Sequence, residues 1–294
     1  MKENTYDSNR EAAGIRTGIT GLLGNLLLAA AKACAGYLSN SMAVTADAAN
    51  NLTDCISSVV TLLGFSISAR DKDSVHPYGH GRMEYVCGFI VSLLILFTGV
   101  SVAKDGLTRL LHPQQVTVTA LTITVLLLSI LCKAGMAWYV FRLNKETTSA
   151  ALKAVQRDDL SDTFVTAATL CGMLLAPLIS FPVDGFLGLA VSAFILKSGI
   201  SSFSENLLLL LGEGADTVTT DNIMEIISAS LPSSLVEDIS LHDYGPKYRV
   251  VYIKLTPPSP EEAGSLSKAV TGIREKIKEQ LGLEATLYWD IANA

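Results

Sequence analysis

The sequence predicts a helical membrane domain of six spans followed by a small α+β domain. Of the 294 residues, 49% are hydrophobic and 17% are charged, and the mean hydropathy is +0.40. These values are typical of membrane proteins. After Glu205 the long apolar segments give way to shorter, alternating ones, which predicts two domains, 1–208 and 209–294. The formal net charge of −6 argues against a nucleic-acid partner.

Each predicted span is long enough to cross the hydrocarbon core of a bilayer, which takes about 20 helical residues. Turn-forming residues separate the spans, as at His112-Pro113 and Asn144-Lys145-Glu146. The first span is longer than the apolar part of a cleavable signal peptide, so we expect it to stay in the membrane. The predicted spans are about 14–38, 41–68, 83–108, 116–142, 147–178 and 184–204.

An even number of spans places both termini on the same side of the membrane. Cytoplasmic loops retain Lys and Arg, and such residues flank the spans on the side of the termini, as at Arg16, Arg70 and Arg142. On the opposite side, only Lys104 and Arg109 flank the predicted spans. We therefore expect a multi-pass protein of the plasma (inner) membrane, surrounded by lipid, with cytoplasmic N- and C-termini.

The C-terminal segment predicts an α+β domain with the element order αββαβ. Two segments have helical periodicity, 217–231 and 260–281. Three alternate as strands, Val236–His242, Tyr248–Leu255 and Glu284–Trp289. A domain of about 90 residues has only a marginal core of its own, so oligomerisation would help to stabilise it.

Polar side chains occur inside the predicted second and fifth spans. Each ionised carboxylate near the bilayer centre costs about 2.5–3.5 kcal/mol. Residues four apart project from the same face of a helix, so two such helices packed together would direct one amide and three carboxylates at a common centre. The pattern predicts a metal site of oxygen ligands only, formed by Asn50, Asp54, Asp158 and Asp162.

A structural role for these acids is also open. They could instead be neutralised by the lysines inside the spans, which are Lys32, Lys133 and Lys197. Asp47 lies on the same face as Asn50 and is either an entry or neighbouring residue of the metal site or a hydrogen-bonded carboxylate at a helix end. Asp159 is turned about 100° from Asp158 around the helix, and we expect a structural partner for it.

The ligand types narrow the identity of the metal. Carboxylate and amide oxygens suit Mg²⁺, Ca²⁺ or Mn²⁺, whereas a histidine would favour Zn²⁺, and neither pair contains one. Three carboxylates crowded into a medium of low dielectric repel one another, so we expect at least one to hold a proton until a metal displaces it. The pattern therefore predicts coupled movement of metal and protons.

Three motifs resemble those of the cation diffusion facilitator family: SMAVTADAANNLTD at 41–54, HPYGHGRME at 76–84 and KAVQRDDLSD at 153–162. With six spans and the αββαβ tail, the resemblance covers nearly the whole chain. It implies that the four oxygen ligands form the transport site, that the protein is a homodimer without a prosthetic group, and that its metallochaperone-like C-terminal domains pair in the cytoplasm. The four positions hold Asn and Asp without His, a pattern that resembles the manganese-exporting branch of the family.

The resemblance also implies a metal site in the loop between the second and third helices. Zinc-transporting members of the family have such a site, and this chain retains its residue types and spacing as Asp73, His76 and His80. The two histidines could instead only cap and brace the start of the third helix.

A further site of the family's zinc members, in the C-terminal domain, is not retained. Lys254 and Tyr288 stand where those members have histidines, although Glu237 and Asp290 remain. A lysine ammonium has no lone pair to offer a metal. We therefore do not expect a zinc cluster, or metal sensing, in this domain.

The sequence predicts efflux of a divalent transition-metal cation, with Mn²⁺ favoured, in exchange for protons by alternating access. Export of Zn²⁺, Fe²⁺, Co²⁺ or Cd²⁺ by a member of the same family is the alternative. An intramembrane metalloenzyme is disfavoured, because nothing beside the ligands is suited to act as a base or nucleophile. An acidic cation channel is disfavoured, because tight binding by four ligands slows release of the ion.

Overall fold

The computed structural model describes residues 2–38, 42–112, 119–175, 183–212, 214, 217–257 and 263–289. The chain divides into two compact units. The first contains Ser8–Ala69 and Met83–Leu207, and the second contains Met1–Asp7, Arg70–Arg82 and Leu208–Ala294. The segment that follows the second helix therefore groups with the C-terminal residues.

Long helices account for most of the first unit. They are α1 (Lys2–Leu38), α2 (Met42–Ser68), α3 (Met83–Leu111), α4 (Ala120–Thr147), α5 (Ala150–Leu175) and α6 (Val183–Leu211). In the part of the chain that is described, four stretches are long and apolar enough to cross a membrane: Asn9–Ala35, Met83–Leu111, Ala120–Thr147 and Gly188–Leu211. Among the residues of α2 whose side chains are described, the apolar stretch is the shorter Asp54–Ser68. The chain thus contains a helical membrane domain.

The break between α4 and α5 lies later than predicted. The sequence predicts it at Asn144-Lys145-Glu146, but α4 continues to Thr147. Thr148 then takes a left-handed conformation with φ of 47°, and its N–H donates to the backbone oxygen of Asn144 at 2.9 Å. The side-chain oxygen of Asn144 accepts from the N–H of Ser149 at 2.7 Å. The helix can therefore include Asn144 because this side chain satisfies backbone groups at the helix end.

Small residues allow the helices to pack closely. A Cβ atom on Gly18 of α1 would lie 2.8 Å from Cβ of Leu62 on α2, and one on Gly106 of α3 would lie 3.0 Å from the backbone nitrogen of Leu189 on α6. Such contacts are typical of helices that associate in lipid, where backbones approach through small side chains. Large apolar side chains such as Leu27, which is 70% exposed, cover the outer surface.

A buried ion pair joins α1 to the start of α3. Arg10 Nη2 lies 2.7 Å from Glu84 Oε1, and the two side chains are 11% and 2% exposed. Arg10 Nη1 also donates to the backbone oxygen of Thr147 at 2.7 Å, and the Ser149 hydroxyl donates to Glu84. This pair therefore ties the ends of α1, α3 and α4 together.

The second unit contains a three-stranded sheet covered by helices. Its elements are α7 (Thr217–Ser228), β1 (Val236–Asp243), β2 (Arg249–Leu255), α8 (Ala263–Leu281) and β3 (Glu284–Trp289). The strand order is β1-β2-β3, with β1 antiparallel and β3 parallel to β2. A parallel pair needs a crossover connection, and α8 provides it. The core between helices and sheet includes Ile223, Ile227, Val251, Ile253 and Ile273, which are fully buried.

The segment Arg70–Arg82 packs on the turn between β1 and β2. Tyr78 stacks on Tyr244 with ring centroids 4.2 Å apart. Arg82 Nε donates to the backbone oxygen of Asp243 at 2.9 Å. These contacts explain why this segment belongs to the same compact unit as the C-terminal residues.

Candidate metal centre

Three of the four predicted oxygen ligands are buried carboxylates on α2 and α5. Asp54 of α2 is 6% exposed, and Asp158 and Asp162 of α5 are 8% and 4% exposed. Asp54 and Asp158 line the same small cavity, whose volume of about 10 Å³ is roughly that needed for one water molecule. The helical period and the packing of α2 near α5 therefore bring the acids of both helices to one region.

The remaining predicted residues of α2 lie where side chains are not described. Asp47 and Asn50 are helical residues of α2, but the placement of their side chains is outside the described part of the structure. Their membership of the site stays a prediction. Helical geometry places Asn50 one turn before Asp54 on the same face.

A lysine ammonium lies between the carboxylates of the two helices. Lys133 of α4 is 1% exposed, and its Nζ lies 2.9 Å from Asp54 Oδ2 and 2.5 Å from Asp162 Oδ2. Asp54 and Asp162 therefore share Lys133 as an ion-pair partner. Asp159 Oδ1 lies 3.6 Å from the same Nζ, so Lys133 is also the structural partner expected for Asp159.

One carboxylate oxygen at this centre has no hydrogen bond. Asp162 Oδ1 is buried and unpartnered, while Oδ2 of the same group binds Lys133. Among the described residues, the intramembrane acids do not bring three potential ligand atoms within 4.8 Å of one another. The arrangement is therefore a set of carboxylates held by an ammonium, with lone pairs left over that a divalent cation could use.

A second group of polar side chains extends the network towards α1. Lys32 Nζ donates to Asn51 Oδ1 at 2.6 Å, and Asn51 Nδ2 donates to Asn25 Oδ1 at 3.3 Å and to Asp54 Oδ2 at 3.4 Å. Lys32, Asn25 and Asn51 are buried. Spacing and motifs assign no role to Asn25 or Asn51, although an amide inside an apolar span is itself a signal. Lys197, by contrast, lies on the exposed surface of α6.

The predicted loop residues converge in the second compact unit. Asp73, His76 and His80 can place one ligand atom each within 4.8 Å of one another, which no other three His, Cys, Asp or Glu residues do in the described ranges. His76 Nδ1 lies 3.1 Å from Asp73 Oδ1, and His80 Nε2 lies 3.5 Å from Asp73 Oδ2. His80 Nδ1 is buried without a hydrogen-bond partner. This geometry can hold a metal ion.

The same loop also has a purely structural feature. Asp73 Oδ1 accepts from the backbone N–H groups of His76 at 2.6 Å and Val75 at 2.9 Å. The hydrogen bond from His76 N–H, together with that from Val75, lowers the pKa of Asp73 below its usual value. Asp73 therefore stabilises the turn whether or not a metal is bound.

In the C-terminal sheet, Lys254 forms an ion pair at the position where the resemblance implies a histidine in zinc-transporting proteins. Lys254 of β2 pairs with Tyr288 of β3 across the parallel ladder, and its Nζ lies 2.9 Å from Glu237 Oε2. Asp290 lies outside the described residues. A lysine and its ion-pair partner leave no histidine nitrogen at this position for zinc to bind.

Comparison with known proteins identifies the family. A family model described as the cation efflux transmembrane domain matches residues 18–211. The chain belongs to the cation diffusion facilitator family of metal transporters. Members of this family are metal cation efflux transporters, and the match covers all of α2 to α5, which carry the buried acids and Lys133.

Several curated proteins are similar to this chain in sequence. The uncharacterized transporter MJ0449 of Methanocaldococcus jannaschii is 26% identical over 94% of this chain and 97% of its own length. The manganese efflux system protein MneS of Bacillus subtilis is 32% identical over 62% of each chain. The magnetosome protein MamM of Magnetospirillum gryphiswaldense is 27% identical over 71% of this chain and 66% of its own length. The matched segment thus spans less than two thirds of MneS.

Proposed function

We propose that this transporter exports Mn²⁺ as its principal substrate, in exchange for protons and by alternating access. The observation that carries the proposal is the buried carboxylate of Asp162 on α5. Its Oδ2 and that of Asp54 on α2 both contact the Lys133 ammonium. Its Oδ1 has no hydrogen bond. Buried polar atoms are normally paired. An unpaired carboxylate oxygen beside a second buried acid is suited to a metal–oxygen bond.

The proposed transport ligands are Asn50, Asp54, Asp158 and Asp162, with Asp47 as an entry residue of α2. Carboxylate and amide oxygens favour Mn²⁺ over Zn²⁺, which prefers nitrogen or sulphur in the ligand set. The similarity to MneS, whose name is that of a manganese efflux protein, supports the same metal and the manganese-exporting branch of the family. Zn²⁺, Fe²⁺, Co²⁺ and Cd²⁺ are the competing substrates.

Proton exchange follows from the charge of the site. Departure of a divalent cation leaves several carboxylates in a medium of low dielectric, where uncompensated charge is costly. Metal binding to carboxylates releases protons, and protonation of the ligands releases the metal. Protons that enter from the side opposite the cytoplasm would therefore displace the metal. They would then neutralise the carboxylates while the metal-free transporter returns to its cytoplasm-facing state.

The proposed architecture has six membrane spans in residues 1–208 and a cytoplasmic domain in residues 209–294. α2 has 27 residues and α5 has 26, so each is about 40 Å long and can cross the hydrocarbon core despite its polar face. The basic residues at one set of span ends support a cytoplasmic position of both termini. We place the protein in the plasma (inner) membrane as a homodimer whose C-terminal domains pair.

The loop residues Asp73, His76 and His80 form a separate proposed metal site. Two histidine nitrogens and a carboxylate suit Zn²⁺ or another borderline metal better than Mn²⁺. The buried, unpartnered Nδ1 of His80 supports a role beyond bracing the turn. This site lies outside the transport ligands, so we expect a regulatory or structural effect of metal there.

Transport by purified protein in proteoliposomes tests the proposed function. We expect Asp54→Ala and Asp162→Ala to abolish Mn²⁺ transport, because each removes a ligand of the same ion. Asp105→Ala is the matched control, because Asp105 is an exposed acid of α3, and it should transport normally. Unchanged Mn²⁺ transport by Asp162→Ala would contradict the site.

A second measurement separates the proton step from the metal step. The wild-type protein should release or take up protons only when Mn²⁺ is present, and an imposed pH gradient should drive Mn²⁺ uphill. Metal transport that is insensitive to the gradient would remove proton exchange from the proposal while leaving the metal site intact.

A further inference from the structure

The centre of the proposed transport site is already occupied by a side-chain cation. Lys133 extends from α4 into the space between α2 and α5, and its side chain is 2% exposed. Its ammonium contacts three acids: Asp54 Oδ2 at 2.9 Å, Asp162 Oδ2 at 2.5 Å and Asp159 Oδ1 at 3.6 Å. Two of these acids are proposed metal ligands, and Asp159 is not.

The ammonium and a metal ion cannot use these oxygens at the same time. Hard divalent cations bind carboxylate oxygens at about 2.0–2.6 Å, whereas the Lys133 nitrogen already lies 2.5 Å and 2.9 Å from the Oδ2 atoms of Asp162 and Asp54. A metal ion between the same two oxygens would overlap the ammonium and repel its charge. A metal ion that bridges Asp54 and Asp162 through these Oδ2 atoms therefore requires Lys133 to move.

Asp159 is a second buried acid that the displaced ammonium can contact. It is 5% exposed, and helical geometry turns it about 100° from Asp158 around α5. Its Oδ1 is 3.6 Å from Nζ, so a rotation of the flexible lysine stem brings the ammonium into full contact with it. A buried charge that leaves one partner needs another.

We propose that Lys133 is a tethered counter-cation that competes with the transported metal for Asp54 and Asp162 and moves towards Asp159 when the metal binds. The inference rests on the proposed transport function and names the residue that tunes the affinity of that site. Without metal, the ammonium holds α2, α4 and α5 together and offsets part of the carboxylate charge. With metal, its competition weakens binding enough for the ion to leave, which a carrier needs for turnover.

Mn²⁺ binding to the purified protein, measured by isothermal titration at alkaline pH where protons compete least, tests the competition. In Lys133→Met the competing charge is gone, so we expect the Kd for Mn²⁺ to fall about tenfold, equivalent to about 1.4 kcal/mol, while the maximal transport rate in proteoliposomes falls. Lys133→Gln should behave in the same way and serves if the methionine variant does not fold. Lys197→Met, which removes an exposed lysine of α6, should match the wild type.

The change in Mn²⁺ affinity on replacing Lys133 distinguishes a competing cation from a purely structural residue. If Lys133 only stabilises the fold, its removal leaves Mn²⁺ affinity unchanged or weaker, and either result overturns the proposal. Asp162→Ala protein, measured in parallel, should lose Mn²⁺ binding. If it binds as the wild type does, the proposed transport site fails; if it loses binding while Lys133→Met shows no gain, only the counter-cation role fails.

A double-mutant cycle tests the role of Asp159. Asp159→Asn removes the second position of the ammonium, so we expect weaker Mn²⁺ binding in the wild-type background and a several-fold smaller effect in the Lys133→Met background. An equal effect in both backgrounds means that Asp159 acts on the metal directly, which overturns the displacement of Lys133 towards it.

Discussion

Replacing Glu84 by Gln should reveal how strongly the Arg10–Glu84 pair stabilises the membrane domain. Glu84 is 2% exposed in its side chain and holds the Arg10 guanidinium through contacts of 2.7, 2.9 and 3.1 Å. Gln cannot neutralise the guanidinium, so the buried Arg10 charge would lose the carboxylate of Glu84. Breaking a buried pair by removing one partner costs about 3–5 kcal/mol.

Thermal unfolding in detergent measures this loss. For a domain of this size each kcal/mol shifts the midpoint by about 2–4 °C, so we expect the Glu84→Gln midpoint to fall by about 10 °C. Glu205→Gln is the matched control: Glu205 pairs with Lys153 at 3.1 Å and with Arg157 at 3.0 Å, but its side chain is 35% exposed and those of the two bases are 48% and 20% exposed. Ion pairs that solvent reaches contribute about 0–1 kcal/mol each.

Comparison of the two variants tests whether burial is decisive. A Glu84→Gln midpoint no lower than that of Glu205→Gln would refute the claim that burial makes the Arg10 pair important. Arg10→Lys provides a further check, because a lysine retains the charge but cannot make the forked contact or reach Thr147 in the same way. It should fall between the wild type and Glu84→Gln.

Three more perturbations give distinct outcomes. Asn50→His should shift the ratio of Zn²⁺ to Mn²⁺ transport about tenfold towards Zn²⁺, since a nitrogen ligand favours Zn²⁺; an unchanged ratio in a competition assay would exclude Asn50 as a ligand. His76→Ala should abolish Zn²⁺ binding by the loop in calorimetry, with Mn²⁺ transport retained; full retention of Zn²⁺ binding would leave only the bracing role. The turn around Asp73, whose folded-state pKa is lowered, should keep its stabilising hydrogen bonds above the ordinary carboxyl range and lose them as the pH falls through that lowered pKa. Loss of the protection factor of the His76 amide, which corrects for the base-catalysed intrinsic exchange rate, at a pH well above this range would contradict the assignment.

The secondary structure and the acids of the site follow from local features of the sequence. Apolar segments of the right length form helices, and four-residue spacing places Asp158 and Asp162 on one face of α5 because a helix turns every 3.6 residues. The predicted end of α4 is too early because the Asn144 side chain can hold a helix end, whereas its residue type alone suggests a turn.

Contacts between segments that are distant in sequence could be identified only from the tertiary structure. Lys133 and Asp54 are 79 residues apart, and Arg10 and Glu84 are 74 residues apart. The sequence indicates Lys133 as one of three lysines that could neutralise the acids, but helical periodicity does not determine which helix lies beside which. Lys197 has the same side chain and lies on the exposed surface of α6, whereas Lys133 lies between α2 and α5.

Composition, local spacing and motifs were enough to predict a membrane protein of the cation diffusion facilitator type with carboxylates in its second and fifth helices. Each of these properties is confined to one segment of chain, so it can be read without knowledge of the packing. The ammonium among the carboxylates depends instead on how α4 packs against α2 and α5, because electrostatic partners across helices are selected by three-dimensional proximity in a medium of low dielectric.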